Sequence, residues 1–371
     1  MEGTRGFAVF LVFLVHYTTL IKPWIAGQPL FLAIATSLRQ IGNTGVDLFF
    51  VLSGYLIYGS LISRPQKFNQ FIRRRLLRIY PAFIMVFVVY LILSLLFPAE
   101  SKIPSPLSRG VLYIAENFFL LPGIFPIDPM ITVAWSLSYE MFYYLTIPLV
   151  IGLFRLETRS SVSRVAFFAT GAMLIIFYCG AYGGHVRLVM FISGILLYEA
   201  VNSQRVRTPS SVVGSLALAI GLLAILLPNR GTGIVALKGG ILFVTFPVFC
   251  MACFGKPAAS LPRVFSWTPM RWLGNMSFSY YLLHGLVLKA SFAALAILLP
   301  SARNNGFGLF WELLPLMFAI TLIPTATLFL TVERPLSLVP FRRSMTVGSH
   351  DKTWRKGRSL QEESPIEWRR G

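Results

Sequence analysis

Apolar residues recur along the chain in runs of about 17 to 25, separated by short polar and basic stretches. Wound as a helix, a run of about 20 residues rises about 30 Å, the thickness of a bilayer's hydrocarbon core. Ten such runs are read, near 6–22, 43–62, 78–98, 133–154, 163–181, 185–201, 211–228, 234–253, 275–299 and 308–331. The pattern predicts an all-α, polytopic membrane helical bundle of about ten transmembrane helices. Residues 1–340 form one membrane domain in this reading. The polar, mixed-charge stretch 341–371 is expected to be a disordered cytoplasmic tail, too short for a second catalytic domain. The first run lacks the short apolar region and small-residue cleavage site of a secretory signal, so it is expected to remain as a helix.

The polar stretches set an orientation. The second loop holds Arg64, Lys67, Arg73, Arg74, Arg75 and Arg78. The fourth holds Arg155, Arg159 and Arg164, the sixth Arg205 and Arg207, and the eighth Lys256, Arg263 and Arg271. Odd-numbered loops are poorer, with Lys22 and Arg39, Lys102 and Arg109, Arg230, and Arg303. Cations accumulate on the cytoplasmic side, so the even loops and both termini are expected there. The third loop, about 99–132, is long and rich in proline, and is expected to cover the outer side.

Composition agrees with a membrane protein. Hydrophobic residues make up 56% and charged residues 13%, with mean hydropathy +0.70, which excludes an ordinary soluble domain. A net charge of +19 would point to nucleic acid in a soluble protein, but here the cations sit in loops. Cys179, Cys250 and Cys253 all fall in or beside apolar runs. The last two have CxxC spacing, but no second pair completes a zinc site, and they read as core residues.

A few polar residues stand inside the apolar runs, where they are expensive and mark candidate chemistry. Arg5 and His16 are eleven positions apart, roughly three turns plus 20°, so they share one helix face about 16 Å apart. With Arg5 at the cytoplasmic face, His16 lies near the midplane. It is either a packing histidine or a general base. Asp47, in the outer half of the second run, must be paired or wet; Ser53 and Gly54 nearby also fit close helix packing. Arg74, Arg75 and Arg78 fall on neighbouring faces and read as a positive-inside anchor or as a cytoplasmic phosphate site. Trp135, Tyr139, Tyr143 and Tyr144 fit an interfacial aromatic belt. Glu140 lies deeper and could orient His16 and stabilise its protonated form. His284 is midway along the ninth run, in a packing or a catalytic role. Glu333-Arg334-Pro335 reads as a local anchor, and Arg187 as an interface anchor or an acceptor contact. These residues support either a proton-coupled transporter of a small solute or a membrane enzyme whose phosphate-bearing donor docks from the cytoplasm. A passive scaffold in a glycan-synthesis complex is a third reading.

Taken together, the motifs resemble the acyltransferase-3 family of integral membrane acyltransferases. The resemblance rests on Glu2-Gly-Thr-Arg5-Gly6 followed by His16 (Arg-x10-His) and on Gly45-Val-Asp47-Leu-Phe-Phe-Val-Leu-Ser53-Gly54. It continues in Arg75-Leu-Leu-Arg78-Ile-Tyr80-Pro81, Trp135-Ser-Leu-Ser-Tyr-Glu140, the Ser279–His284 segment and Glu333-Arg-Pro335. Order and spacing agree over about residues 1–340. The family's usual lead-in before the first helix is missing, and an attached extracytoplasmic hydrolase-like domain is not expected. The resemblance implies ten helices and transfer of an acyl group, commonly acetyl, to a carbohydrate hydroxyl. No bound cofactor or metal is implied. The resemblance also implies cytosolic acyl-CoA, commonly acetyl-CoA, as co-substrate and a carbohydrate or glycolipid as acceptor; membrane lipid is an expected partner, nucleic acid is not, and a bacterial cytoplasmic (inner) membrane is the expected location. His16 is then the base, with Glu140 or Asp47 holding it. Arg74, Arg75 and Arg78, with Arg5 at the mouth, meet the donor phosphates. Ser53, Tyr139 or His284 would donate to the oxyanion of a direct transfer.

Overall fold

The computed structural model describes residues 1–64, 66–256, 258–298 and 306–338, with the backbone alone at 306–308 and 338. The tail expected over 341–371 and the ninth-loop cation Arg303 lie outside the described residues. Within them the chain is all-α, without a strand. The helices are α1 (Glu2–Ile21), α2 (Pro29–Ile62), α3 (Phe68–Leu96), α4 (Leu107–Phe118), α5 (Trp135–Leu153), α6 (Ser161–Tyr182) and α7 (Val189–Val201). They continue with α8 (Ser211–Ile225), α9 (Thr232–Cys253), α10 (Ser260–Phe265), α11 (Thr268–Asn275), α12 (Ser277–Leu298) and α13 (Gly306–Leu328), which runs on as a π-helical segment, Phe329–Leu338.

Seven helical stretches are long and apolar enough to cross a membrane: Glu2–Trp24, Pro29–Ile62, Phe68–Leu96, Ser161–Tyr182, Thr232–Cys253, Ser277–Leu298 and Leu309–Ser337. The other three expected spans are helices of a different kind. The apolar character of α5 is diluted by Ser136, Ser138, Glu140 and three tyrosines. With 13 and 15 residues, α7 and α8 rise about 20 and 22 Å, less than a hydrocarbon core.

Element boundaries depart from the hydropathy pattern where polarity and helicity part company. α2 has 34 residues, about 51 Å. Thr36, Ser37, Arg39 and Gln40 end an apolar run but not a helix, because none removes a backbone donor as proline does. Pro29 opens the helix at its first turn, where the missing N–H costs nothing. Arg73, Arg74, Arg75 and Arg78 of the second loop ride on the first turns of α3 for the same reason. The third loop contains α4, which exposes Leu107, Val111 and Leu112 and buries Asn117. Asn117 ties the loop together: its Nδ2 donates to the carbonyls of Tyr113 (3.0 Å) and Asp128 (3.3 Å), and its Oδ1 accepts from Met130 N (2.7 Å).

α2 is the central post. Its N-terminal half joins α1, α12 and α13 in one apolar core, and its C-terminal half joins α3, α5, α7 and α9 in another. Close approach to α7 needs glycine on both sides. A methyl on Gly54 would overlap the Phe191 carbonyl, and one on Gly194 would overlap that of Val51. α1 meets the end of α10 and crosses α11 in the same way, with Gly3 against Phe265, Gly6 against Met270 and Gly274 against Glu2. Cys179, Cys250 and Cys253 are buried free thiols.

Near one end of the bundle, Glu199 of α7 takes both oxygens of its carboxylate into a network. It accepts from Tyr58 Oη (2.5 Å), Ser161 Oγ (2.5 Å), and Arg164 Nε (2.6 Å) and Nη2 (3.0 Å), so one buried acid joins α2, α6 and α7. Removing one partner of such a pair strands the other. Glu199→Ala is expected to cost about 3–5 kcal/mol of stability, read as a lowered thermal midpoint of the purified protein; an unchanged midpoint would show the network to be neutral.

Candidate functional site

A cavity of about 60 Å³ opens where five helices meet. That exceeds the about 15 Å³ needed to admit a water. α1 contributes Arg5, and α2 Phe49, Phe50 and Ser53. Arg78 comes from α3, Ser136, Glu140 and Tyr144 from α5, and Ser277, Phe278 and Tyr281 from α12. Spacing explains why. Phe49 and Ser53 are four apart on α2, as are Glu140 and Tyr144 on α5, and each pair shares a helix face. Glu140 accepts from Tyr144 Oη (2.6 Å) and Ser53 Oγ (3.3 Å).

Charge is balanced inside this site. Arg5 lies within electrostatic reach of Arg78, Glu140 and Glu333. Glu333, 1% exposed on the π-helical segment, accepts from Ser279 N (3.1 Å) and Oγ (2.5 Å). It is therefore no local anchor with its exposed neighbour Arg334, but a second acid facing two guanidiniums. Sequence alone does not show this role, because its partners arrive from α1, α3 and α12. The signals there are an acid beside Pro335 at the end of an apolar run and its place in the Glu333-Arg-Pro335 motif.

The arginines of α3 step outward from the cavity. Arg78 lines it. The Arg75 guanidinium stands over the rings of Tyr144 (5.4 Å) and Phe71 (5.2 Å) and donates to Ser60 Oγ (3.0 Å). Arg74 donates to Gln66 Oε1 (3.2 Å). Arg73 is exposed.

His16 lies farther along α1, on the face that carries Arg5 into the cavity. Its ring meets that of His284, which is wholly buried on α12, with centroids 4.8 Å apart and planes at 80°. Ser277 and His284 are seven residues apart, so they also share a face, about 10 Å apart along α12. The cavity and the histidine pair thus occupy successive levels of one α1–α12 seam. Between them stand Tyr281 and Phe49, packed edge to face at 6.0 Å. Tyr281 Oη donates to the Val133 carbonyl (3.0 Å) and meets Ser136 Oγ at 2.8 Å.

The carboxylates expected beside His16 are elsewhere. Asp47 lies 3.4 Å from Arg187 Nε, whose guanidinium stands over Trp135 (5.5 Å). It is five residues from Gly42, which faces α1, and so about 140° round the helix. There Asp47 lines a second cavity, of about 180 Å³, with Gln40, Asn43, Arg187, Asn229 and Lys238. Glu140 is across the first cavity, bound to Ser53 and Tyr144. Neither acid is placed to orient His16. Tyr139 is also on the other side, stacked on Phe50 (5.6 Å) with its hydroxyl 2.5 Å from His185 Nδ1. His284 commits Nδ1 to the Tyr280 carbonyl (2.8 Å). Of the three oxyanion donors expected, Ser53 alone lines the first cavity. Tyr144, Tyr281, Ser136 and Glu333 join the site without having been singled out for it; a tyrosine in a cavity and a tyrosine in an aromatic belt look alike in sequence.

Comparison with known proteins gives the arrangement a context. The acyltransferase-3 family model, described as an acyltransferase domain, matches residues 1–329. The peptidoglycan O-acetyltransferase OatA of Listeria monocytogenes is 27% identical over 91% of this chain and 55% of its own length. The putative peptidoglycan O-acetyltransferase YrhL of Bacillus subtilis is 27% identical over 92% of this chain and 55% of its own. The O-acetyltransferase OatA of Staphylococcus aureus is 27% identical over 76% of this chain and 49% of its own. The chain thus spans about half the length of these curated relatives. No solved structure matches.

Proposed function

Because the chain belongs to the acyltransferase-3 family, we propose that it is a membrane O-acetyltransferase, moving an acetyl group from cytosolic acyl-CoA to a hydroxyl of a cell-surface carbohydrate. The observation that carries this reading is the single seam on which a guanidinium-bearing cavity and a histidine pair follow one another. A transferase that joins a donor on one side of a membrane to an acceptor on the other needs that sequence of sites. The relatives' names point to peptidoglycan as the acceptor to try first.

In this reading the Met1 end of α1 and the arginines of α3 face the cytoplasm. Arg74, Arg75 and Arg78 offer guanidinium forks to the donor's phosphates, and Arg5 and Arg78 line the way in. The pantetheine arm carries the thioester past Tyr281 toward His16. His16 takes the proton from the acceptor hydroxyl, the oxygen bonds to the thioester carbon, and the carbon–sulfur bond breaks. The departing thiolate takes the proton back from His16, leaving an ester and free CoA thiol. Ser53, the one expected donor that lines the first cavity, faces the path of the thioester. Asp47 and Arg187, in the second cavity, hold the outer half of α2 against the start of α7.

The test is the ester content of cell-surface glycans in a deletion strain complemented with the wild-type gene. Restoration of alkali-labile acetate on the glycan is expected. An unchanged glycan, together with flux of an unmodified solute through the purified protein, would favour a transporter instead.

A further inference from the structure

His16 has no carboxylate beside it, and a base in an apolar seam needs something to fix its tautomer and receive its second N–H once it is protonated. The geometry points to His284 as that positioning residue: its Nε2 lone pair is the acceptor for the Nδ1–H of His16, so that His16 Nε2 is left as the base. The inference rests on the acyltransferase reading of the site.

Four observations carry it. The Tyr280 carbonyl can only accept, so the 2.8 Å contact places the proton of His284 on Nδ1. In a neutral ring that leaves Nε2 as a bare lone pair, and this atom is buried without a hydrogen-bond partner. An unsatisfied polar atom at 0% exposure is costly, and it sits on the ring that meets His16 at 4.8 Å. Third, a methyl group placed on Gly285 would lie 3.8 Å from His16 Nδ1, so that nitrogen faces α12. Fourth, the His284 ring is clamped: Tyr280 stacks on it at 5.2 Å and 11°, and Tyr280 is itself tied by Oη to Thr321 Oγ1 at 2.7 Å. The titratable side chains recorded against the pair, among the described residues, are the phenols of Tyr280 and Tyr281.

The two neutral rings rest edge to face. When the acceptor hydroxyl gives its proton to His16 Nε2, the ring becomes a cation, and the His284 lone pair holds the Nδ1–H that this cation keeps on the side of α12. His284 keeps its own Nδ1–H on Tyr280 throughout. No proton is passed on to His284; the proton on Nε2 returns to the departing thiolate.

His284→Gln keeps an acceptor oxygen close to the position of Nε2, and His284→Leu removes it. With acetyl-CoA and a glycan acceptor, Leu is expected to lower kcat about a hundredfold and leave the KM for acetyl-CoA within about twofold. Gln is expected to recover kcat to within about tenfold of wild type. The acid limb of the kcat profile should move to lower pH in Leu, because the protonated His16 loses its acceptor, and return toward wild type in Gln. Equal losses in both variants with an unmoved acid limb would reduce His284 to packing and overturn the inference. A second measurement does not depend on turnover: ¹⁵N NMR of histidine-labelled wild-type protein should show neutral His16 as the Nδ1–H tautomer, and an Nε2–H tautomer would contradict it. A wild-type protein that shows the Nδ1–H tautomer but transfers no acetyl group would instead count against the acyltransferase reading.

Discussion

His16→Ala is expected to abolish acetyl transfer, with kcat falling about 10²- to 10⁴-fold, the range that a positioned general base supplies, while KM for acetyl-CoA stays near wild type. The alternative role for a histidine at this depth is packing, and the structure separates the two. His16 makes few commitments: it is half-buried and rests against His284 and Gly285. Its neighbours on α1 do the packing, with Phe13 and Tyr17 wholly buried among Phe292, Phe310 and Phe318. Truncating His16 therefore removes the base and little else, and the variant should reach the membrane at wild-type abundance. Steady-state kinetics on the purified variant check this. Undiminished kcat would remove His16 from the chemistry, and loss of the protein from the membrane would make it a structural residue.

Arg78→Ala is expected to raise the KM for acetyl-CoA with a smaller effect on kcat. Hydrogen bonds to charged groups are worth about 1.5–3 kcal/mol, which is about 10- to 150-fold in affinity. Arg78 is the α3 arginine that enters the cavity, where it faces Glu333 and shares the space with Arg5. Its loss also leaves the two acids with one guanidinium, so the cavity turns net negative and opposes an anionic donor. Arg78→Lys restores charge without the planar fork and should recover only part of the affinity. Arg75→Ala is the useful comparison, since that side chain stacks on Phe71 and Tyr144 and bonds to Ser60. Its effect should include a fall in thermal midpoint. Unchanged donor KM in both variants would move the phosphate site elsewhere.

The sequence was informative where function lies along one helix. The eleven-residue spacing of Arg5 and His16 places both on one face from helix geometry alone, and α1 delivers one to the cavity and the other to the histidine pair. The depth of Glu140 likewise follows from its position in an apolar run. What sequence could not show is which face of one helix meets which face of another. Asp47 and His16 are both polar groups inside apolar runs, and only the packing of α1 against Gly42 and Gly45 turns Asp47 to the far side of α2. The partner of His16 arrives from α12, some 270 residues away in the chain. Glu333 was hidden by its neighbour Arg334, a plausible local partner that the structure leaves exposed. Hydropathy also underestimates helices with a polar stretch inside them, as at residues 36–40 of α2, and does not register short amphipathic ones such as α4 and α11.

The most direct test is vectorial transfer in proteoliposomes of known orientation. Labelled acetyl-CoA is supplied on the side of the Met1 end and a peptidoglycan fragment on the other, and the fragment is analysed for ester-linked label. Label on the fragment, absent with His16→Ala and absent when donor and acceptor exchange sides, is the expected result. Label that stays on CoA, or that reaches the fragment only when both substrates share one side, would contradict a seam that joins a donor cavity on one face to a base reached from the other.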